Sequence, residues 1–249
     1  MTTTSGQSAP AATVPVTDAV PGVPAARRVG GQVREKLHEV NPHLRGWLHA
    51  AVAPLTLAAG IVLVVFSPNA TTRIGSAVFA SSALVLFTVS AFYHRGSWSP
   101  RTWLFLRRFD HANIFLLIAG SYTPFTLLLL HGQAKIALLA IVWTGALLGV
   151  AFRVFWNHAP RWLYTPIYFA LGWAAVFFFG DFVHSAGGAV LTLMCVGGAL
   201  YSLGGLVYGF KKPNPFPRWF GFHEVFHALT IAAFVVHYVG VSIATYSLR

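Results

Sequence analysis

Residues 136–150 of this chain read IALLAIVWTGALLGV, a continuous run without a charged side chain. An α-helix needs roughly 20 mostly apolar residues to cross the hydrocarbon core of a bilayer, whereas strands of a membrane barrel alternate apolar and polar residues over about ten. This run does not alternate, and the apolar segment around it extends over about residues 134–153. The stretch therefore predicts a membrane-spanning helix.

The same pattern recurs along the chain. Seven segments are long and apolar enough to span, at about 47–66, 74–94, 110–130, 134–153, 163–180, 187–210 and 221–246. The chain is 56% hydrophobic and only 9% charged, whereas a soluble domain carries about 25% charged residues. This composition excludes an ordinary soluble enzyme, a disordered protein and a nucleic-acid-binding protein. We expect an all-α integral membrane protein, a bundle of seven transmembrane helices.

Lysine and arginine are distributed unevenly between the two sides of that bundle. If the spans alternate in direction, 14 of the 17 basic residues lie on the side of the N-terminus. Basic loops stay in the cytoplasm, so the N-terminus is predicted to be cytoplasmic and the C-terminus outside. The basic residues behind the net charge of +11 then lie in loops between the spans, and we expect no nucleic-acid partner. The single cysteine, Cys195, excludes a disulfide framework and a multi-cysteine metal site.

Two segments precede the membrane domain, which we place at residues 47–246. Residues 1–29 are rich in Thr, Ala, Ser, Gly and Pro, which is typical of a disordered tail, and they lack the pattern of a signal peptide. Residues 30–46 are predicted to form an interfacial helix and linker on the cytoplasmic face. Val33, Leu37 and Val40 recur there at helical spacing, opposite charged residues. A helix that caps a cytoplasmic loop is the alternative.

Four ionisable residues lie inside or at the ends of predicted spans, where such groups are costly and indicate a functional site. His94 ends the second span, Asp110 opens the third, and His223 and His227 open the seventh. Alternating topology places all four near the cytoplasmic end of the bundle. His223 and His227 share a helix face because residues four apart are neighbours, and Ser90 shares a face with His94 for the same reason.

Three neutral imidazoles with one open position are typical of a catalytic zinc site. We therefore interpret His94, His223 and His227 as zinc ligands. Asp110 is then placed to accept or orient the proton of a reacting water, and Ser90 to form a hydrogen bond beside the site. The alternative is that each histidine is a separate hydrogen-bonded anchor near the interface.

The sequence from His223 to His227 also has the pattern H-E-x-x-H of zinc proteases, in which Glu224 would be the general base. An intramembrane zinc protease is therefore another hypothesis. It requires a third ligand, for which Asp110 is available, and it leaves His94 without a role.

The other histidines are given structural roles. His111 is interpreted as an anchor that points away from the site, and His237 as a polar contact between helices with a partner such as Tyr238 or a hydroxyl group. Solvated or interfacial positions at or near loops are expected for the rest, His38, His43, His49, His131, His158 and His184.

These motifs, in this order, resemble the haemolysin III family. The matching residues are Ser90-x-x-x-His94, then Phe109-Asp110-His111-Ala-Asn-Ile114 leading to Tyr122-Thr-Pro124, and finally His223-Glu-Val-Phe-His227 with His237-Tyr238 beyond it. That family belongs with the adiponectin and progestin receptors, some of which resemble lipid amidases. The resemblance implies seven helices, a cytoplasmic N-terminus and zinc held by the three histidines, with Asp110 and Ser90 beside it. It also implies a multi-pass protein of the bacterial plasma membrane.

The leading hypothesis is a zinc-dependent membrane hydrolase of acyl-amide or ester lipids, active in membrane lipid homeostasis. Membrane lipids are the expected partners and would enter laterally between helices, whereas the outer loops look too short for a protein hormone. A second hypothesis is a non-enzymatic regulator or pore-forming cytolysin with a structural zinc. A pore would be lined with polar residues along its whole length, but the polar cluster lies at one end.

Overall fold

The computed structural model describes residues 42–156 and 160–248. The predicted tail, and residues 30–41 of the predicted interfacial segment, lie outside the described residues. Within those ranges, seven helices are long and apolar enough to cross a membrane. We number them as spans one to seven: Trp47–Val65, Ala70–Arg95, Pro100–Leu129, Gly132–Phe155, Trp162–Ser185, Gly188–Phe210 and Phe222–Tyr246.

The third span is longer than the sequence predicts. It begins at Pro100, ten residues before the expected start. Ser99 caps it by accepting a hydrogen bond from the Thr102 N–H, and proline is favoured in the first helical turn because it has no N–H to satisfy. The prediction that Asp110 opens this span is therefore wrong, since Asp110 lies almost three turns inside the helix. Hydropathy alone missed these turns because they carry arginines.

The fifth span is not a continuous α-helix. It consists of an α-helix at Arg161–Gly172, a 3-10 helix at Ala174–Phe178 and a second α-helix at Phe179–Ser185. Tyr122 of the third span holds the break, because its hydroxyl donates to the Gly172 carbonyl at 2.6 Å and accepts from the Ala175 N–H at 3.0 Å. A neighbouring side chain thus satisfies backbone groups that the break leaves free, as an apolar environment requires.

Spans two, three and seven form the centre of the bundle. In the apolar window of the third span 61% of the residues are buried, against 17% in the fifth span. Phe79 and Phe87 of the second span are fully buried and contact Phe234 of the seventh, with ring centroids 5.2 and 5.4 Å apart. The fifth span therefore lies at the periphery of the bundle.

The third span continues through Pro124 without a break in its helix. Proline removes one backbone hydrogen bond and crowds the preceding turn. Two hydroxyls lie beside it: Ser121 donates to the Leu117 carbonyl at 2.8 Å, and Thr123 donates to the Ala119 carbonyl at 2.7 Å. Local side chains therefore bind carbonyls of the turns before the proline, and the central helix keeps its course through the membrane.

Candidate metal centre

The structure brings His94, His223 and His227 together. One ligand nitrogen from each lies within 4.8 Å of the others, and the Nε2 atoms of His94 and His223 are 3.1 Å apart. His94 belongs to the last turn of the second span, and the other two belong to the first turns of the seventh. Two segments that are more than a hundred residues apart in sequence thus supply one cluster.

Two local features position this cluster. The seventh span begins directly after Gly221, so His223 and His227 lie on adjacent turns of one face. Gly46 precedes the first span with φ of 78°, a left-handed conformation that favours glycine. A Cβ on Gly46 would lie 2.8 Å from the Cβ of His94. The chain can turn beside His94 only because Gly46 has no side chain.

The cluster fits a bound metal ion. Two nitrogens that each lie 2.0–2.1 Å from a tetrahedral zinc ion are about 3.3 Å apart, close to the observed 3.1 Å. Imidazole sets suit zinc, copper, iron and nickel, and three protein ligands leave one tetrahedral position open. The buried Nδ1 of His227 has no hydrogen-bond partner among the described residues. The hydrogen bonds of the described residues therefore do not account for the buried position of this nitrogen.

His49 is a residue of this site that the sequence analysis missed. Its ring stacks on His227 with centroids 3.8 Å apart and planes 18° from parallel. It is only 2% exposed, and neither ring nitrogen has a hydrogen-bond partner in the described part of the chain. The expectation of a solvated or interfacial position is wrong. The first span starts at Trp47, and His49, in its first turn, is directed into the bundle.

Ser90 and Asp110 lie beside the cluster. Ser90 is buried one turn before His94, and its hydroxyl is the hydrogen-bonding neighbour of the Asp110 carboxyl group. Both side chains line the same cavity as His223 and His227. The structure therefore places a carboxyl group, held by a hydroxyl, on the wall of the space next to the three histidines.

Glu224 is directed away from that space. Its Oε1 accepts from Arg45 Nε at 3.4 Å, and its Oε2 accepts from the Gly221 N–H at 2.9 Å. The side chain is fully buried but does not line the cavity. One carboxylate oxygen thus accepts from Arg45, and the other caps the start of the seventh span. This arrangement argues against a role of Glu224 as general base in an H-E-x-x-H protease site.

His111 combines the predicted role with an unpredicted position. Its Nδ1 lies 2.6 Å from the Arg107 carbonyl and its Nε2 lies 3.0 Å from the Tyr208 hydroxyl, which in turn lies 3.2 Å from the Tyr164 hydroxyl. It is therefore an anchor, as expected. It does not point away from the site, however, because it lines the same cavity as Asp110.

A cavity of about 410 Å³ extends from His223 and His227 into the bundle. Most of its wall is aromatic or aliphatic and comes from spans three, five, six and seven. Trp173 and Val176 of the fifth span line it and are each 56% exposed, and Gly198 of the sixth span lines it and is also exposed. The cavity therefore reaches the outer, apolar surface of the bundle between the fifth and sixth spans.

Comparisons with known proteins agree with this architecture. The pattern of the family described as "Haemolysin-III related" matches residues 37–238. The chain is 33% identical over 186 residues to the "Hemolysin-3 homolog" of Bacillus subtilis (strain 168), which covers 74% of this chain and 84% of that protein. It is 30% identical over 167 residues to "Hemolysin-3" of Bacillus cereus, covering 66% and 76% of the two chains.

A more distant relative is the "Adiponectin receptor protein" of Drosophila melanogaster, 29% identical over 151 residues, with 54% of this chain and 34% of the receptor covered. The matched residues 37–238 span the three histidines of the cluster, Ser90 and Asp110. Together with the seven apolar helices, these matches identify a multi-pass integral membrane protein. The chain belongs to the haemolysin III-related family.

Proposed function

We propose that this protein is a zinc-dependent hydrolase of acyl-amide or ester lipids and that it acts in membrane lipid homeostasis. The observation that carries the proposal is that Asp110 and two residues of the three-histidine cluster, His223 and His227, line the same largely apolar cavity. The cavity reaches the lipid-facing surface between two spans, so an acyl chain can enter from the bilayer without crossing water. A volume of about 410 Å³ lies within the range of small-molecule sites.

The residues that would hold the ion are His94, His223 and His227. A bound Zn²⁺ would supply Lewis-acid polarisation of a carbonyl oxygen and activation of water. In hydrolysis, water adds to the carbonyl carbon, the bond to nitrogen or oxygen breaks, and a carboxylic acid and an amine or alcohol leave. Asp110 holds the proton that the water loses and returns it to the leaving group.

The remaining residues orient these groups. The Ser90 hydroxyl fixes the carboxyl group of Asp110, and the stacked ring of His49 supports His227. The aromatic and aliphatic wall binds the acyl chain and excludes water from it. Because Glu224 is engaged by Arg45 and Gly221, the proposed chemistry assigns it no proton transfer.

Asp110→Asn tests the proposal and separates it from a regulator or cytolysin with a structural zinc. We would purify the full chain in detergent, measure zinc per chain, and follow hydrolysis of acyl-amide and acyl-ester lipids by mass spectrometry. The amide side chain cannot take a proton, so turnover should fall by about 10²-fold or more while zinc content stays unchanged.

The matched control is Asp181→Asn, since Asp181 is exposed in the fifth span and does not line the cavity. This control should keep wild-type turnover. Equal turnover in the Asp110 and Asp181 variants, or no hydrolysis of either lipid class by zinc-loaded wild-type protein, would contradict the proposed function.

A further inference from the structure

Residues 42–47, which we call the entry segment, lead into the first span at the end of the bundle that carries the three histidines. The segment folds as a turn, in which the Arg45 N–H donates to the Pro42 carbonyl at 3.0 Å. The three-histidine cluster contains none of its residues, all of which the structure describes. The entry segment nevertheless contacts both of the chain segments that supply the cluster.

One side of the entry segment holds the loop before the seventh span. The His43 N–H donates to the Arg218 carbonyl at 3.0 Å, and the Leu44 N–H donates to the Trp219 carbonyl at 3.3 Å. The His43 ring also packs on the Trp219 ring, with centroids 4.6 Å apart. Because Trp219 comes only four residues before His223, these contacts fix the point from which the first turns of the seventh span start.

The other side of the entry segment holds the end of the second span. The guanidinium carbon of Arg95 lies 3.4 Å from the centre of the Trp47 ring, the stacked geometry of a cation–π contact. Arg95 directly follows His94, and a Cβ on Gly46 would lie 2.8 Å from the Cβ of His94. The entry segment thus packs directly against the turn that carries the ligand candidate of the second span.

A metal ion bound by rings from two helices needs those helices at a fixed separation. If the helix ends are not held before the ion arrives, binding has to supply the free energy of ordering them. Groups that orient metal ligands accordingly change metal affinity by about 10- to 100-fold when they are mutated. The backbone hydrogen bonds and the cation–π contact join the two helix ends at the level of the cluster. The partly exposed pair of Arg45 and Glu224 adds little to this connection.

We propose that the entry segment is a clamp for the metal centre and that Trp47 is its positioning residue. The Trp47 ring acts through Arg95 on the turn of His94, while the backbone of His43 and Leu44 holds the start of the seventh span. The proposal rests on the proposed function in one respect, that the three histidines bind zinc. Because Trp47 is 53% exposed, its replacement leaves no enclosed cavity, so zinc affinity separates positioning from a general loss of stability.

Trp47→Leu tests the clamp in purified full-length protein in detergent. Competition with a chromophoric chelator measures zinc affinity, and the thermal midpoint of the zinc-free protein is measured in parallel. Trp47→Leu should bind zinc about tenfold more weakly than wild type. Trp47→Phe, which keeps an aromatic face for Arg95, should retain most of the affinity.

Trp162→Leu is the matched control, since Trp162 is 75% exposed at the start of the fifth span and does not line the cavity. It should bind zinc like wild type, and its zinc-free midpoint should lie close to that of Trp47→Leu. Wild-type affinity in Trp47→Leu, or an equal loss in the control, would overturn the proposal. A clearly lower midpoint in Trp47→Leu would mean that the ring acts on stability, and would overturn its role as a positioning residue.

Two glycine variants test the same clamp if Trp47→Leu does not fold. Gly46 and Gly132 both have positive φ, 78° and 54°, so alanine strains the backbone at both. A Cβ on Gly46 meets His94, whereas a Cβ on Gly132 meets nothing within 4 Å. Gly46→Ala should weaken zinc binding by about tenfold while Gly132→Ala does not, and equal affinities would overturn the proposal. The expected difference without any hydrolysis by zinc-loaded wild type would contradict only the proposed function.

Discussion

One helix carries three histidines of this protein in two different surroundings. At the start of the seventh span, His223 and His227 meet His94 from another span, so three ring nitrogens lie within 4.8 Å of one another. About three turns further on, the hydrogen-bond partner of His237 among the described residues is a backbone carbonyl, that of Met194. The residue type and the helix are the same in both places. What differs is the group that the neighbouring span places opposite each ring.

This difference gives the two parts of the seventh span different chemistry. Three converging nitrogens form a donor set for a cation, because no single imidazole holds a divalent ion tightly enough alone. A single imidazole whose N–H is already directed at a carbonyl cannot form such a donor set. The first two of the three experiments below test this difference, and the third tests whether Glu224 takes part in the chemistry at the histidine cluster.

The largest effect is expected for His227→Ala compared with His237→Ala. If the three histidines bind zinc as proposed, removing one of them should lower the zinc content of purified protein from about one ion per chain to almost none. The alanine at residue 237 should leave the zinc content unchanged, because that ring lies about 15 Å along the helix from the cluster. Elemental analysis by mass spectrometry measures both. Equal zinc contents in the two variants would remove the distinction between the two ends.

A smaller effect is expected for Gly197→Ala. A Cβ there would overlap the His237 ring, whereas a Cβ on the neighbouring Gly198 meets nothing within 4 Å. Overpacking of this kind costs about 1–3 kcal/mol of the free energy of unfolding, so Gly197→Ala should lower the thermal midpoint in detergent. Gly198→Ala, the matched control, should keep or slightly raise it. A Gly197→Ala variant as stable as the control would mean that the ring is not held against the sixth span.

The smallest effect is expected for Glu224→Gln. Glutamine still accepts the Gly221 N–H but loses the ion pair with Arg45, whose side chain is 22% exposed. Such a partly exposed pair contributes about 1 kcal/mol or less, so thermal stability should fall slightly. Zinc content and lipid turnover should stay within about twofold of wild type. Complete loss of turnover with zinc retained would restore Glu224 as a general base.

The fold follows from the sequence to a large extent because span formation is a local property. Hydropathy located all seven spans, and the helices of the described residues match them in number and order. The errors occur where hydropathy carries no information. The helix before Asp110 bears arginines, and the break in the fifth span depends on the hydroxyl of Tyr122, which is distant in sequence.

Part of the candidate site also follows from the sequence. The spacing of His223 and His227, and of Ser90 and His94, determines a shared face on each helix, and alternating spans place Asp110 at the same end. His49 was missed because its position near the start of a span is equally compatible with an interface or with the interior. Only the rotation of the first helix, which brings the His49 ring onto His227, distinguishes these two positions.

By itself, the sequence determined the membrane environment, the number of spans and the end of the bundle at which the polar residues gather, because all three depend on residues close together in the chain. The tertiary structure alone decided that His49 stacks on His227, that Glu224 pairs with Arg45, and that one nitrogen of His237 has no hydrogen-bond partner within residues 42–156 and 160–248. The two contacts join distant segments. Helix rotation and packing set them, and neither is encoded in hydropathy or local spacing.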